Sequence, residues 1–175
     1  MNHPISIVAL IAVLFTALLV LLPKPTHRFH TKVTIDAPAD QVWAVLTDTE
    51  KFPQWNPLVS HFAGTLAEGE TLNVTVQNGT GGSMDFTPEV VVFKPGQELT
   101  WLGTLGMRGI FDGRHRFAVE SLNAGTTRLV HEEDFAGILV PLFKGKLARE
   151  TLPLFEAMNL ALKSRVESSA PLARR

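Results

Sequence analysis

The order of hydrophobic patterns in this 175-residue chain predicts an α+β domain. The expected architecture is a seven-stranded, antiparallel, curved sheet with two short helices after its first strand and one long C-terminal helix laid against it. One transmembrane helix precedes the domain. Three observations carry this reading. Strand-like segments follow one another between turns rich in Gly, Pro and Asn. The last segment switches to helical spacing. Residues 5–22 form an unbroken apolar run, with Ser6 and Thr16 its only polar members.

That first run makes a rod of about 27 Å, close to the hydrocarbon thickness of a bilayer. Pro23 and Pro25 then end it. A cleaved secretory signal needs a cationic start and a small-residue cleavage site. Neither MNHP nor LLPKPTHRF supplies one, so residues 1–25 read as an uncleaved single-span anchor. Lys24, Arg28 and Lys32 follow the span and no Lys or Arg precedes it. The positive-inside bias therefore places the following domain in the cytoplasm.

Residues 29–36 alternate and predict a strand. Pro38 opens a helix whose apolar face holds Val42, Trp43, Val45 and Leu46. The breaker-rich stretch 48–57 predicts a short second helix or turn around 50–52. Strands are expected at 59–66, 71–77, 84–93, 98–104, 109–121 and 126–136. The loops between them carry Glu68-Gly69, Asn78-Gly79, Pro95-Gly96, Gly106 and Asn123-Ala124-Gly125. From 144 to 168, Leu147, Leu154, Met158, Ala161, Leu162 and Val166 recur at helical spacing, with Glu156, Asn159, Lys163 and Glu167 assigned to the opposite side. Pro153 demands that this helix start near Thr151 or kink there. The domain spans 26–168, and 169–175 is a polar, frayed tail. A single antiparallel sheet needs a cover on one face, and the long helix is that cover. A curved sheet wrapped on one helix encloses a site for an apolar ligand.

Composition narrows the function. Net charge is −1, which gives no support to a nucleic-acid binder held by phosphate neutralisation. With no cysteine, disulfides, thiolate nucleophiles and cysteine-based metal sites are excluded. No zinc-binding His-Glu-x-x-His, phosphate loop or nucleophile elbow is present, and no pattern calls for a metal or a cofactor. The glycine-rich stretch 78–82 reads as a hairpin loop.

Two stretches carry a resemblance. The first is 33–48, VTIDAPADQVWAVLTD, followed by FPQWNP at 52–57. The second is His115-Arg-Phe117, then GTTRL at 125–129, then HEEDFAG at 131–137. Together they resemble the START-like (SRPBCC) superfamily, in its polyketide cyclase/dehydrase-like branch, over about residues 29–167. The resemblance implies a helix-grip architecture, with the long helix gripped by the sheet over a hydrophobic cavity. It does not account for the membrane segment.

Candidate site residues follow from strand parity. His115, Phe117 and Val119 share one face of their strand; Thr127, Leu129, His131, Glu133 and Phe135 share a face of the next. A turn near Ala124 places His115 opposite Glu133 and Phe117 opposite His131. The apolar members argue that this face looks toward the C-terminal helix. Two imidazoles and a carboxyl would then converge on an otherwise oily wall. Trp55 at the mouth, Trp101, Met107, Phe111, Phe117 and Leu129 on the sheet and its loops, and Leu154 and Met158 on the helix complete the expected ligand cavity.

The first functional expectation is a membrane-anchored protein that binds a hydrophobic small molecule, such as a lipid, an isoprenoid or a polyketide-like compound. No catalytic residue is assigned on that reading. The alternatives are a cyclase, dehydratase or hydrolase that uses His115, His131 and Glu133 as acid and base, or a membrane-associated interaction module whose cavity is filled.

Overall fold

The computed structural model describes residues 26–77 and 81–169. The anchor expected at 5–22 and the tail beyond Ser169 lie outside the described residues. Among the described residues no helix is long and apolar enough to cross a membrane.

The chain opens with β1 (Thr26–Ile35), α1 (Ala39–Thr47), a 3-10 turn (Thr49–Lys51) and α2 (Phe52–Trp55). Strands β2 (Val59–Ala63), β3 (Asn73–Gln77), β4 (Ser83–Phe86), β5 (Glu89–Lys94), β6 (Glu98–Leu105), β7 (Phe111–Asn123) and β8 (Thr126–Ala136) follow. Helix α3 (Val140–Ser169) closes the fold. The start of α1 is the expected one: Pro38 takes the extended N-cap position and Asp40 lies in the first turn. The Asn56 side-chain oxygen accepts from the backbone N–H groups of Leu58 and Val59, at 2.9 and 3.0 Å, so the Trp-Asn-Pro turn itself launches β2.

The sheet differs from expectation in two ways. Eight strands stand among the described residues where seven were expected, and they form two sheets: β1-β8-β7-β6-β5 and β2-β3-β4. The strand expected at 84–93 is cut between β4 and β5. Pro88 sits in that cut and has no N–H to give a ladder. Its carbonyl accepts instead from Leu72 N at 2.8 Å, while Val90 N donates to Glu70 O and Gly69 N to Val90 O, both at 2.9 Å. This corner, with the Thr71–Glu89 bridge, hands the chain from one sheet to the other.

The two sheets share one core. Ile35, Leu72, Leu99, Phe117 and Leu129 come from the strands, Val42, Leu46 and Phe52 from the short helices, and Phe155, Met158, Leu162 and Val166 from α3. Helix α3 begins earlier than expected and runs through Pro153. The proline ring points to solvent, so it costs a backbone hydrogen bond without disturbing the buried face. A smaller cluster, Phe29, Phe135 and Val140 with Phe111, Leu147 and Leu152 against it, packs at the other end of the sheet.

Candidate functional site

Antiparallel pairing of β7 with β8 sets His115 opposite Glu133 and Phe117 opposite His131. Parity then sorts the acidic run of β8. His131 and Glu133 point toward α3, while Glu132 and Asp134 point outward. There Glu132 meets Arg116 and His30, each at 2.7 Å, and Asp134 pairs with Arg28. The outward residues are therefore surface ion pairs; the inward ones meet the core.

Both inward imidazoles are buried, His115 at 7 % and His131 at 0 % exposure. Each is clamped by a ring. His131 stacks on Phe155 with centroids 4.2 Å apart, and His115 stacks on Trp101 at 4.7 Å. Their polar edges form a chain. Thr31 Oγ1 donates to the carbonyl of His131 at 3.1 Å, and Asn159 Nδ2 donates to Thr31 Oγ1 at 2.8 Å. Asn159 Oδ1 lies 2.9 Å from His131 Nδ1, and His131 Nε2 lies 2.8 Å from His115 Nε2. His115 Nδ1 faces Glu133 Oε2 at 3.5 Å.

Chemistry fixes the direction of every link. A carbonyl only accepts, so the Thr31 hydroxyl proton goes to His131 O, and its oxygen must accept from the Asn159 amide nitrogen. The Asn159 oxygen then faces His131, whose Nδ1 carries the proton. His131 Nε2 becomes the acceptor, His115 Nε2 the donor, and His115 Nδ1 a lone pair aimed at Glu133. An amide cannot take a proton onward, so the chain does not conduct. It holds one histidine tautomer and presents one acceptor beside a carboxyl.

Electrostatics agree with a neutral chain. Burial pushes His115 down to about 3. His131 falls well below the ordinary histidine value, first through burial and then through the neighbouring His115, with the Asn159 hydrogen bond opposing. Burial, helped by the charge of Asp134, raises Glu133 to about 8. At neutral pH Glu133 is an acid with a proton to donate, beside an unprotonated imidazole nitrogen. Its side chain is 14 % exposed, and its Oε1 lies over the bare Cα of Gly113, where a Cβ would come within 2.7 Å.

The remaining candidates divide between several places. Trp101, Phe117, Leu129 and Met158 lie in the main core, with Leu154 partly buried beside it. Trp55 packs edge-on against Phe52, and its indole N–H is buried without a hydrogen-bond partner. Met107 stands on the β6–β7 turn, 72 % exposed. Phe111 belongs to the smaller cluster. Two members of the chain, Asn159 and Thr31, were not among the candidates, and the placing of Asn159 on the outer side of α3 is corrected: it is 3 % exposed. Its signal was present, since 159 follows Phe155 by four and precedes Leu162 by three, which is one helix face. Thr31 was readable from β1 parity with Phe29 and Ile35. Among the described residues no group of three or more His, Asp and Glu could hold a metal ion.

A long helix held by antiparallel sheets, with aromatic rings and one buried polar chain between them, defines a helix-grip domain of the START type. The chain belongs to the polyketide cyclase / dehydrase and lipid transport family, which residues 26–167 match. Its fold is similar to the Zhui aromatase/cyclase from a Streptomyces species, at TM-score 0.66 and 20 % identity over 85 % of this chain and 98 % of that one. A START superfamily protein from Mycobacterium smegmatis is similar at TM-score 0.63 and 26 % identity, over 81 % and 98 %. Norcoclaurine synthase from Thalictrum flavum, solved with dopamine and hydroxybenzaldehyde, is similar at TM-score 0.65 and 14 % identity, over 84 % and 90 %. No curated protein matches the sequence.

Proposed function

We propose that the domain binds a hydrophobic small molecule that carries one hydroxyl or carbonyl, held by Glu133 and His115, while residues 5–22 tether it to a bilayer. The observation that carries this is the unfinished end of the polar chain. Every link from Thr31 to His115 is closed at hydrogen-bond distance. Only the Glu133 carboxyl stands off, at 3.5 Å. A ligand hydroxyl would accept from Glu133 and donate to His115 Nδ1; a carbonyl would accept from Glu133 alone. The rings of Trp101, Phe117 and Phe155 around that end suit an oily body.

The test is organic extraction of full-length protein purified in mild detergent, followed by mass spectrometry. A defined apolar compound is expected with the native protein, and several-fold less with Glu133→Gln at unchanged circular dichroism. No compound, or equal amounts in both, overturns the reading. The same neutral Glu133 supports a second reading, in which it protonates a ligand carbonyl as a general acid; loss of turnover of the bound compound in Glu133→Gln would identify it. The tether is proposed to leave the domain in the cytoplasm, on the strength of Lys24, Arg28 and Lys32. Reporter fusions at the C-terminus should give cytoplasmic signal, and signal confined to the other side refutes the orientation.

A further inference from the structure

One end of the domain gathers exposed apolar side chains. Leu105 ends β6 and Met107 stands on the turn that follows it, 49 % and 72 % exposed. Ile138, Leu142 and Phe143 stand between β8 and the first turn of α3, at 49 %, 76 % and 39 %. The two segments are sewn into one surface: Ile138 N donates to Gly109 O and Leu139 N to Ile110 O, each at 3.1 Å, and the rings of Phe111 and Phe143 meet edge to face at 5.7 Å. Exposed cations border it. Arg108, Lys144 and Arg149 make no ion pair among the described residues, and Lys146 reaches only Glu150, at 3.9 Å.

Register shows where this surface lies. Thr26 pairs with Ala136, and Ala136 with Asp112, so the start of β1, the end of β8 and the start of β7 are level at this same end. Residue 22, where the apolar run 5–22 stops, is four residues before Thr26. An extended chain of that length reaches at most about 14 Å.

We infer that this end of the domain docks on the bilayer into which residues 5–22 are placed, with Leu105, Met107, Ile138, Leu142 and Phe143 in the acyl–headgroup boundary and the neighbouring cations among anionic headgroups. The inference rests on the tether proposed above and adds an orientation to it. A lipid surface is the occupant that fits, because it accepts an apolar patch rimmed by positive charge. It is also the surface that a tether of this length holds within reach of the patch. From Phe143 a run of touching rings leads inward through Phe111, Phe135, Phe29 and Phe155 to His131. The docked face is therefore joined to the polar chain by packed side chains.

The native sequence has no cysteine, so single-cysteine variants of the full chain report one position each. Met107→Cys and Leu142→Cys probe the patch. Leu122→Cys, at the far end of β7, and Leu160→Cys, further along α3, are controls that are also exposed in the structure. Each variant is labelled with a polarity-sensitive fluorophore and reconstituted in vesicles of phosphatidylcholine with about one-third phosphatidylglycerol. Spin-labelled lipid is expected to quench labels 107 and 142 at least twofold more than labels 122 and 160, with a blue shift at the two patch positions only. Equal quenching at all four sites in protein that floats with the vesicles overturns the orientation and leaves the tether standing. Protein that fails to float overturns both. Shielding of 107 and 142 from aqueous iodide without lipid quenching, at twice the monomer mass, overturns the inference in favour of a second copy of the chain.

Discussion

The two halves of α3 share a helix but not a task. In its C-terminal half Phe155, Met158, Asn159, Leu162 and Val166 are buried along one helix face, and they carry both the core and the polar chain. In its N-terminal half only Val140 is buried, Leu142 and Phe143 are exposed, and Leu147 and Leu152 rest on the smaller cluster. Hydrophobicity alone does not separate the halves. What separates them is what lies opposite: the main core shared by strands and short helices in one case, the small cluster of Phe29, Phe135 and Phe111 at the end of the sheet in the other. An apolar residue on this helix is therefore structural where the core covers it and available for contact where nothing does.

The comparison breaks most sharply on Phe155 and Leu142. Phe155→Ala should cost about 3–5 kcal/mol, since it removes a ring that holds His131 and His115 as well as leaving a void. Leu142→Ser should stay within about 0.5 kcal/mol. Thermal unfolding of the full chain in detergent reads both, and comparable losses would mean that Leu142 is packed as Phe155 is.

The pH dependence of stability sharpens the account of the polar chain. Glu133 is raised from 4.5 to about 8, so the folded state holds its proton more tightly than the unfolded state. Its contribution is fully present below pH 4.5 and is lost as pH rises toward 8. His115 is depressed from 6.5 to about 3; its contribution is present above pH 6.5 and is lost as pH falls toward 3. Glu133→Gln should thus gain on the native protein between pH 5 and 8, by roughly 2–4 kcal/mol. Parallel stability curves for the two proteins would show that Glu133 is ionised and solvated.

Asn159 is the link between the helix and the chain. Asn159→Ala leaves the His131 Nδ1–H without its acceptor and should cost about 1–3 kcal/mol. It should also free the tautomer of His131, visible as a changed pattern of imidazole nitrogen shifts by NMR. A fixed nitrogen pattern in the variant would refute the direction assigned to the chain.

Within the polar chain the smallest expected effect on stability is at Gly113. An added methyl meets the end of a flexible carboxyl at 2.7 Å and the Phe135 ring at an ordinary 3.5 Å, so Gly113→Ala should change stability by about 1 kcal/mol or less. It should nonetheless displace Glu133 and reduce the amount of extracted ligand. Full retention would mean that the carboxyl's position is immaterial.

Much of the fold was legible because its signals are local. The Ala-Pro turn opened α1 as expected, the Trp-Asn-Pro turn launched β2, and the turn near Ala124 set the β7–β8 register that brought His115 to Glu133. The break at Pro88 was equally local, and the residue that makes it was in view. Reading 84–93 as one strand missed that a proline without an N–H ends a ladder and turns the corner between sheets.

By itself the sequence determined the α+β order, the apolar run at 5–22 and the inward parity of His115, His131 and Glu133, since periodicity and turn chemistry act over a few residues. Tertiary structure alone decided that Asn159 turns inward to meet Thr31 from β1 and His131 from β8, positions 128 and 28 residues away. It also decided which apolar residues of α3 stay in water. A helix repeat names a face, but burial depends on what the rest of the chain places opposite it. Hydrogen-bond partners this far apart in sequence meet only once the sheets and helix have packed.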